Sequence, residues 1–277
     1  MTRDASGLFD VAGVSLHVDR RGQGPQVLCL TALGHDAHDF DPLIERLGDR
    51  FEFIRVEWPG HGRSGPDTEP ASAARYAWLL ERLAPMLGLD NPIIIGNSIG
   101  GAASVIYASK HPVGGLVLCN SGGLAELSPG VTRAIKIFEG FFAAGARGAW
   151  WYGAAFALYY RLVLPRRAAG AQRRKIIAGG RRMAPVLRDA WASFSRPETY
   201  LCPLAEQLDT PVWFAWGRRD MIAQLDLCRP GIAKFRNGRL STFDAGHSAF
   251  LEQPDAFAEQ FASFADPLAP AMVTSNV

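Results

Sequence analysis

An alcohol, an imidazole and a carboxylate can pass a proton along a line, and this chain carries one of each in settings that would let them meet. Ser98 lies in "IIIGNSIGG" (Ile93–Gly101), where three branched aliphatic residues run straight into a serine with glycines two positions before and after it. Asp220 lies in "WFAWGRRDMI" and His247 in "FDAGHSAFLEQPDAF". A serine hydroxyl is a poor nucleophile until a base takes its proton. The base in turn needs a partner that fixes its tautomer and stabilises the imidazolium. The chemistry such a set supports is attack on a carbonyl carbon, with a transient oxyanion to be stabilised.

Each residue has a plainer use. A serine ahead of a helix is an ordinary N-cap, Asp220 could cap a helix, and His247 could be a surface loop residue. The spacing of the glycines argues for more. A nucleophile on a sharp strand-to-helix turn needs unusual backbone angles, and side chains at the flanking positions would strike the neighbouring strand and helix. Other candidates are weaker. Asp244 is too close to His247 along the chain, Asp226 falls inside the next expected helix, and Asn120, at the end of another strand, is neutral. His61 of "GHGRS" reads as a loop brace, and Ser64 lacks the elbow.

The elements that must position these residues follow from hydrophobic pattern. "LFDVAGVSLHVDRRG" (Leu8–Gly22) alternates around a glycine as a hairpin does. "QVLCLT", "NPIIIGNS", "GGLVLCNS" and "PVWFAWG" are short apolar runs suited to strands covered on both faces. "FEFIRVEW" and "RLSTFD" add two more strands. Helical spacing appears at Tyr76, Leu79, Leu80, Leu83 and Leu87, in the small-residue stretch after Ser98, and over Pro254–Phe264. Strands alternating with helices predict an α/β fold with a mainly parallel central sheet flanked by helices. Residues 125–200 break that rhythm with no convincing strand and read as a helical insertion. Only the ends, Met1–Ser6 and about Asp266–Val277, look unstructured.

Composition sets bounds. The 277 residues are 48% hydrophobic and 20% charged, ordinary for a globular chain with a sizeable core. No secretory signal pattern opens the chain and no uninterrupted apolar run is long enough to span a bilayer, so a cytoplasmic enzyme is expected. The four cysteines show neither CxxC pairing nor metal-ligand spacing, so neither metal nor cofactor is expected. Charge is lopsided: 125–200 holds 13 Lys and Arg against 4 Asp and Glu, a local +9 that leaves about −7 elsewhere. No nucleic-acid-binding module accompanies it.

With these residues in view, the chain resembles the α/β-hydrolase superfamily, in the order Ser98, Asp220, His247. "VEWPGHGRSG", "ASKHP" and "GHSAFLEQPDAF" stand where that family carries similar pieces. The resemblance implies a hydrolase core over 1–124 and 201–277, a helical cap over 125–200, and a backbone oxyanion hole. One donor would be Ile99. The other is Leu33, or His35 if the register of "TALGHDAHDF" shifts by two, because the family's usual His-Gly is absent here. "GNSIGG" is similar to the "GNSMGG" of meta-cleavage-product hydrolases, which cleave C–C bonds in keto-acids with help from a cap arginine; Arg188 is the candidate equivalent. Against that, Ser248 stands where those relatives usually have Trp. A small-molecule ester is the first expected substrate, a vinylogous keto-acid the second, and a receptor without turnover the reading from another class. Asn97, Phe142, Trp151 and Arg188 are the expected substrate-binding residues. The basic cap either receives an anionic substrate end or meets an acidic membrane or partner. Oligomeric state is not legible.

Overall fold

The computed structural model describes residues 5–268. It opens with a hairpin of β1 (Ala5–Val11) and β2 (Val14–Gly22), turned at Ala12 and Gly13, whose φ angles are both positive. That is the turn geometry that follows the natural strand twist. There follow β3 (Gln26–Leu30), a 3-10 turn (Ala37–Phe40), α1 (Asp41–Leu47), β4 (Glu52–Val56), α2 (Ala73–Met86), β5 (Ile93–Asn97), α3 (Ile99–Ala108) and β6 (Gly115–Cys119). Three long helices come next: α4 (Pro129–Ala146), α5 (Tyr152–Val163) and α6 (Gly170–Ser193). The chain closes with α7 (Cys202–Ala205), β7 (Val212–Gly217), α8 (Leu225–Ile232), β8 (Gly238–Phe243), α9 (Ala249–Glu252) and α10 (Pro254–Ala265).

The strands form one eight-stranded sheet in the order β1-β2-β4-β3-β5-β6-β7-β8. β2 runs antiparallel to β1 and β4, and every pairing from β4 to β8 is parallel. β5, β6 and β7 are buried at every position, which requires helices over both faces and explains their unbroken apolar sequences. Register aligns the exits of the parallel strands: Leu30 faces Gly96, Asn97 faces Cys119, and Gly217 faces Phe243. The loops bearing Leu33, Ser98, Asn120, Asp220 and His247 therefore leave one edge of the sheet, the edge where open α/β sheets place their sites.

Within 125–200 the described elements are helical, with α4 and α5 both packed on α6. Aromatic rings fill the space between them: Phe138 of α4 stacks on Trp191 of α6 at 4.3 Å between centroids, and Phe142 of α4 lies 6.4 Å from Phe156 of α5. The ends differ from expectation in part. Ala5 and Ser6 pair into β1 and Asp266–Leu268 form a 3-10 turn, because each has a neighbouring element to lie against; the remaining terminal residues lie outside those described. Among the described residues no helix is long and apolar enough to cross a membrane, and the four cysteines are buried unpaired thiols.

Candidate active site

Ser98 holds a backbone conformation that side chains rarely adopt, φ 56° and ψ −117°. Its N–H donates to the Cys119 carbonyl at 3.1 Å, and its own carbonyl accepts from Ala102 and Gly122, so the turn is over-determined from three sides. The glycines are sterically required. A Cβ on Gly96 would stand 2.6 Å from the Gly100 carbonyl oxygen, and one on Gly100 would stand 2.5 Å from that of Leu30. The ordinary N-cap role does not apply: Ser72 of α2 accepts the Arg75 N–H at 3.0 Å from an extended backbone, whereas the Ser98 hydroxyl caps nothing. It is left turned toward the space above the sheet edge.

Behind that space, His247 Nδ1 lies 2.8 Å from Asp220 Oδ2. The carboxylate is caged by donors: Ile222 N–H reaches Oδ1 at 2.8 Å, while Ala223 N–H and the Asn120 amide reach Oδ2 at 3.2 and 2.6 Å. Asn120 thus serves the carboxylate that the sequence places on the next strand. Its own φ of 43° aims the amide there, and its Oδ1 accepts the Gly217 N–H. With Nδ1 engaged, Nε2 of His247 is the nitrogen available to a nucleophile. Among the described residues the Ser98 hydroxyl has no hydrogen-bond partner; bonds of this kind in active sites commonly tighten only when a substrate is bound.

The loop after β3 supplies backbone donors. Gly34 N–H donates to His61 Nε2 at 2.9 Å, and His35 N–H points to the Ala32 carbonyl at 3.4 Å, whereas Leu33 N–H has no protein partner among the described residues. Of the two registers left open by the sequence, only the Leu33 one leaves a donor free. Ile99 opens α3, where its N–H has no intrahelical acceptor. His61 is the expected brace: burial pushes its pKa down to about 4, so the ring stays neutral and Nε2 accepts while Nδ1–H donates to the Pro59 carbonyl.

Ser98 and His247 line a common cavity of about 390 Å³. Its other walls include Leu33 and Met221 from the core side and Phe138, Tyr159, Leu187, Trp191 and Phe194 from α4–α6. Among the described residues no Lys, Arg, Asp or Glu lines it. Asn97, Phe142, Trp151 and Arg188, the four expected substrate-binding residues, are not among the described residues that line it. Asn97 is fully buried and instead ties the loops together, its amide donating to the carbonyls of Cys119 and His247 and its Oδ1 accepting the Ser248 hydroxyl at 2.8 Å. Phe142 is buried among the rings between the helices. Trp151 is 39% exposed, and Arg188 pairs with its neighbour Asp189 at 2.6 Å. The described lining therefore offers no Lys or Arg to an anionic substrate end.

One buried carboxylate escaped notice in the sequence. Glu252 accepts the N–H groups of Gly246 at 2.8 Å and Arg166 at 3.1 Å, stitching the His247 loop to the segment after α5. Burial pushes its pKa up to about 7, against the pull of those hydrogen bonds. The only sign of it was a carboxylate inside an apolar helical turn. Away from the cavity, Asp36, His38 and Glu57 approach closely enough to share a metal ion. The Lys175 ammonium already takes the cation's place, 2.6 Å from Asp36 and 3.1 Å from His38. Burial opposes ionisation of Asp36, but the hydrogen bonds from Lys175 and Gln172 outweigh it and hold the pKa at about 2.

A mostly parallel sheet with a strained serine between its central strand and the following helix is the architecture of the α/β hydrolases. The chain belongs to the alpha/beta hydrolase family, whose profile matches residues 27–260. It is 34% identical to a 2-(acetamidomethylene)succinate hydrolase of Mesorhizobium japonicum, over 103 residues that span 37% of either chain. It is 24% identical to a 2-hydroxy-6-oxononadienedioate/2-hydroxy-6-oxononatrienedioate hydrolase of a Pseudomonas species, covering 90% of this chain and 91% of that one. Among solved structures, an esterase from Exiguobacterium antarcticum superposes with a TM-score of 0.83 at 15% identity, over 95% of this chain and all of that one.

Proposed function

We propose that the protein is a cofactor-free serine hydrolase acting on a neutral, apolar carboxylic ester, with α4–α6 as a cap over the site. The observation that carries this is the cavity wall, which joins Ser98 and His247 to apolar side chains without one charged residue. His247 Nε2 takes the Ser98 proton as Oγ attacks the ester carbonyl, and the N–H groups of Ile99 and Leu33 receive the oxyanion. The imidazolium, oriented by Asp220, passes the proton to the departing alkoxide, leaving an acyl-serine and a free alcohol. Water then gives a proton to the same nitrogen and attacks the acyl carbon. The returning proton frees Ser98 and a carboxylic acid leaves.

Hydrolysis of a C–C bond in a keto-acid is the second reading, favoured by the relationship to the Pseudomonas enzyme along nearly the full chain. It would bury a carboxylate against an uncharged wall, at a cost of several kcal/mol. The unpaired buried thiols suit a cytoplasmic setting.

The test compares turnover of short-chain and medium-chain p-nitrophenyl esters with turnover of a dienol keto-acid, alongside labelling by a fluorophosphonate. Ester turnover and labelling are expected, both abolished in Ser98→Ala, with a rate loss of about 10⁴-fold or more. Faster turnover of the keto-acid would transfer the site to C–C chemistry. Labelling that persists in Ser98→Ala would remove that serine from the reaction. Absence of turnover and labelling in the wild type would leave a receptor on the same fold.

A further inference from the structure

The cap carries a second pattern that the reaction does not use. α5 faces the cavity with Tyr159, Tyr160 and Val163, yet its opposite side is apolar as well. Leu158 and Leu162 are 60% and 51% exposed, Ala154 and Trp151 lie on the same face, and Trp150, just before the helix, is 88% exposed. The spacing 151, 154, 158, 162 keeps these residues within about a third of the helix circumference at 100° per residue, so they form one stripe. Scattered exposed leucines are ordinary; a tryptophan pair continued by leucines along one helix face is a surface awaiting an apolar neighbour.

The charge of the same segment says which neighbour. Between Glu139 and Asp189 the chain has no Asp or Glu at all, and ten Lys and Arg. Several are spent inside the molecule: Arg166 pairs with Asp244, Lys175 with Asp36, and Arg181 and Arg182 donate to backbone carbonyls. Arg147, Arg161, Arg167 and Arg174 have no acidic partner among the described residues, and all four are exposed. Arg161 sits on the stripe itself, between Leu158 and Leu162. A second copy meeting this face symmetrically would set arginine against arginine, while a head-to-tail contact with the acidic core would build a ring or a filament rather than a two-fold pair. A layer that is apolar in depth and anionic at its surface matches both features.

We propose that the outer face of α5, with Trp150, docks on an anionic lipid surface. Trp150, Trp151, Leu158 and Leu162 enter the boundary between headgroups and acyl chains, and the unpaired arginines meet the headgroup phosphates. This goes beyond the hydrolytic reading and does not depend on it. A bilayer bound there lies against the helix whose inner face lines the cavity.

The test is co-sedimentation of the full chain with phosphatidylcholine vesicles and with vesicles of equal parts phosphatidylcholine and phosphatidylglycerol. Partitioning onto the anionic vesicles is expected to exceed that onto the neutral ones by about tenfold or more at low salt and to fall as salt is raised. A variant combining Trp150→Ser, Leu158→Gln and Leu162→Gln should lose at least about tenfold in partitioning onto anionic vesicles. A second, combining Arg161→Gln, Arg167→Gln and Arg174→Gln, should lose the preference for anionic lipid. Both should keep turnover of a water-soluble ester, so that failure of the lipid site and failure of the ester reading show separately. No partitioning onto anionic vesicles, or equal partitioning by the first variant, overturns the proposal. So does a dimer in lipid-free solution that the first variant abolishes, since the stripe would then belong to a second copy.

Discussion

Ser98 and Trp191 face the same cavity from walls held by different forces. On the core side, position comes from backbone collisions and short directional bonds: glycines at 96 and 100 that admit no Cβ, and hydrogen bonds of 2.6 to 2.8 Å linking Asn97, Asn120, Asp220 and His247. On the α4–α6 side, rings lie against rings at centroid separations of 4.3 to 6.3 Å, and among the described residues no hydrogen bond between side chains fixes Phe138, Tyr159 or Trp191. Directional contacts define one arrangement to within a fraction of an ångström, as proton transfer requires. Ring packing defines a volume and a polarity, which is what choosing a substrate requires. Changes in the first wall should therefore cost stability and rate together, and changes in the second should act on KM.

The largest effect is expected at Gly217, where a Cβ would fall on the Gly246 carbonyl oxygen. That close approach lets the loop bearing Asp220 touch the loop bearing His247. Gly217→Ala should cost about 3 kcal/mol or more in urea unfolding and most of the activity. Gly140 of α4, with nothing within 4 Å of its added Cβ, should gain up to about 1 kcal/mol on becoming alanine. Equal responses at the two glycines would break the contrast between the walls.

Acid–base behaviour sharpens it, because the core side holds buried groups whose pKa values folding moves, among them His61 and Glu252. Folding lowers the His61 pKa from 6.5 to about 4, so the stability it confers is present above 6.5 and drains away as pH falls toward 4. Folding raises that of Glu252 from 4.5 to about 7, so its contribution is present below 4.5 and is lost as pH rises through 7. Between 4.5 and 6.5 the two slopes oppose each other. The stability of the wild type minus that of Glu252→Gln should therefore fall by about 1.4 kcal/mol per pH unit across that window. A difference that does not vary with pH would overturn the account of the buried carboxyl.

On the other wall, the Tyr159 hydroxyl has no protein partner among the described residues and faces the cavity. Removing it in Tyr159→Phe should raise KM for the ester by up to about tenfold, the worth of one neutral hydrogen bond, with kcat nearly unchanged. A collapse of kcat instead would move Tyr159 into the chemical step.

What could be read in advance divides along the same line. The elbow and the shared sheet edge of the loops bearing Ser98, Asp220 and His247 were legible because strain and burial impose residue types at fixed offsets, as in "GNSIGG". Gly217 and Glu252 were not, since their roles are relational: one looks like any glycine at a strand end, the other like any helix carboxylate, until a distant loop arrives beside it. Asn97 was assigned to substrate because it adjoins Ser98 in sequence. Successive strand residues point to opposite sides, so alternation alone could have turned it away from the cavity and toward Ser248. For α4–α6 the helices were legible and their phase was not, because aromatic residues surround them on several faces.

Phase also decides the smallest effect. Leu187 and Trp191, four residues apart on α6, face the cavity, and Arg188 is turned about 100° from Leu187. Its guanidinium lies against the adjacent Asp189 with 42% of the side chain exposed, a pairing worth well under 1 kcal/mol at a screened surface. Arg188→Ala should therefore shift unfolding by less than about 0.5 kcal/mol. It should leave kcat/KM for a neutral ester within about twofold of wild type, a difference below about 0.4 kcal/mol of transition-state stabilisation. The informative comparison sets that ester beside an analogue carrying a carboxylate. If the variant lost activity only on the anionic analogue, the guanidinium would have to swing into the cavity when substrate binds. The α4–α6 wall would then be charged in use, its difference from the core wall would narrow, and a keto-acid would displace the ester as the better substrate.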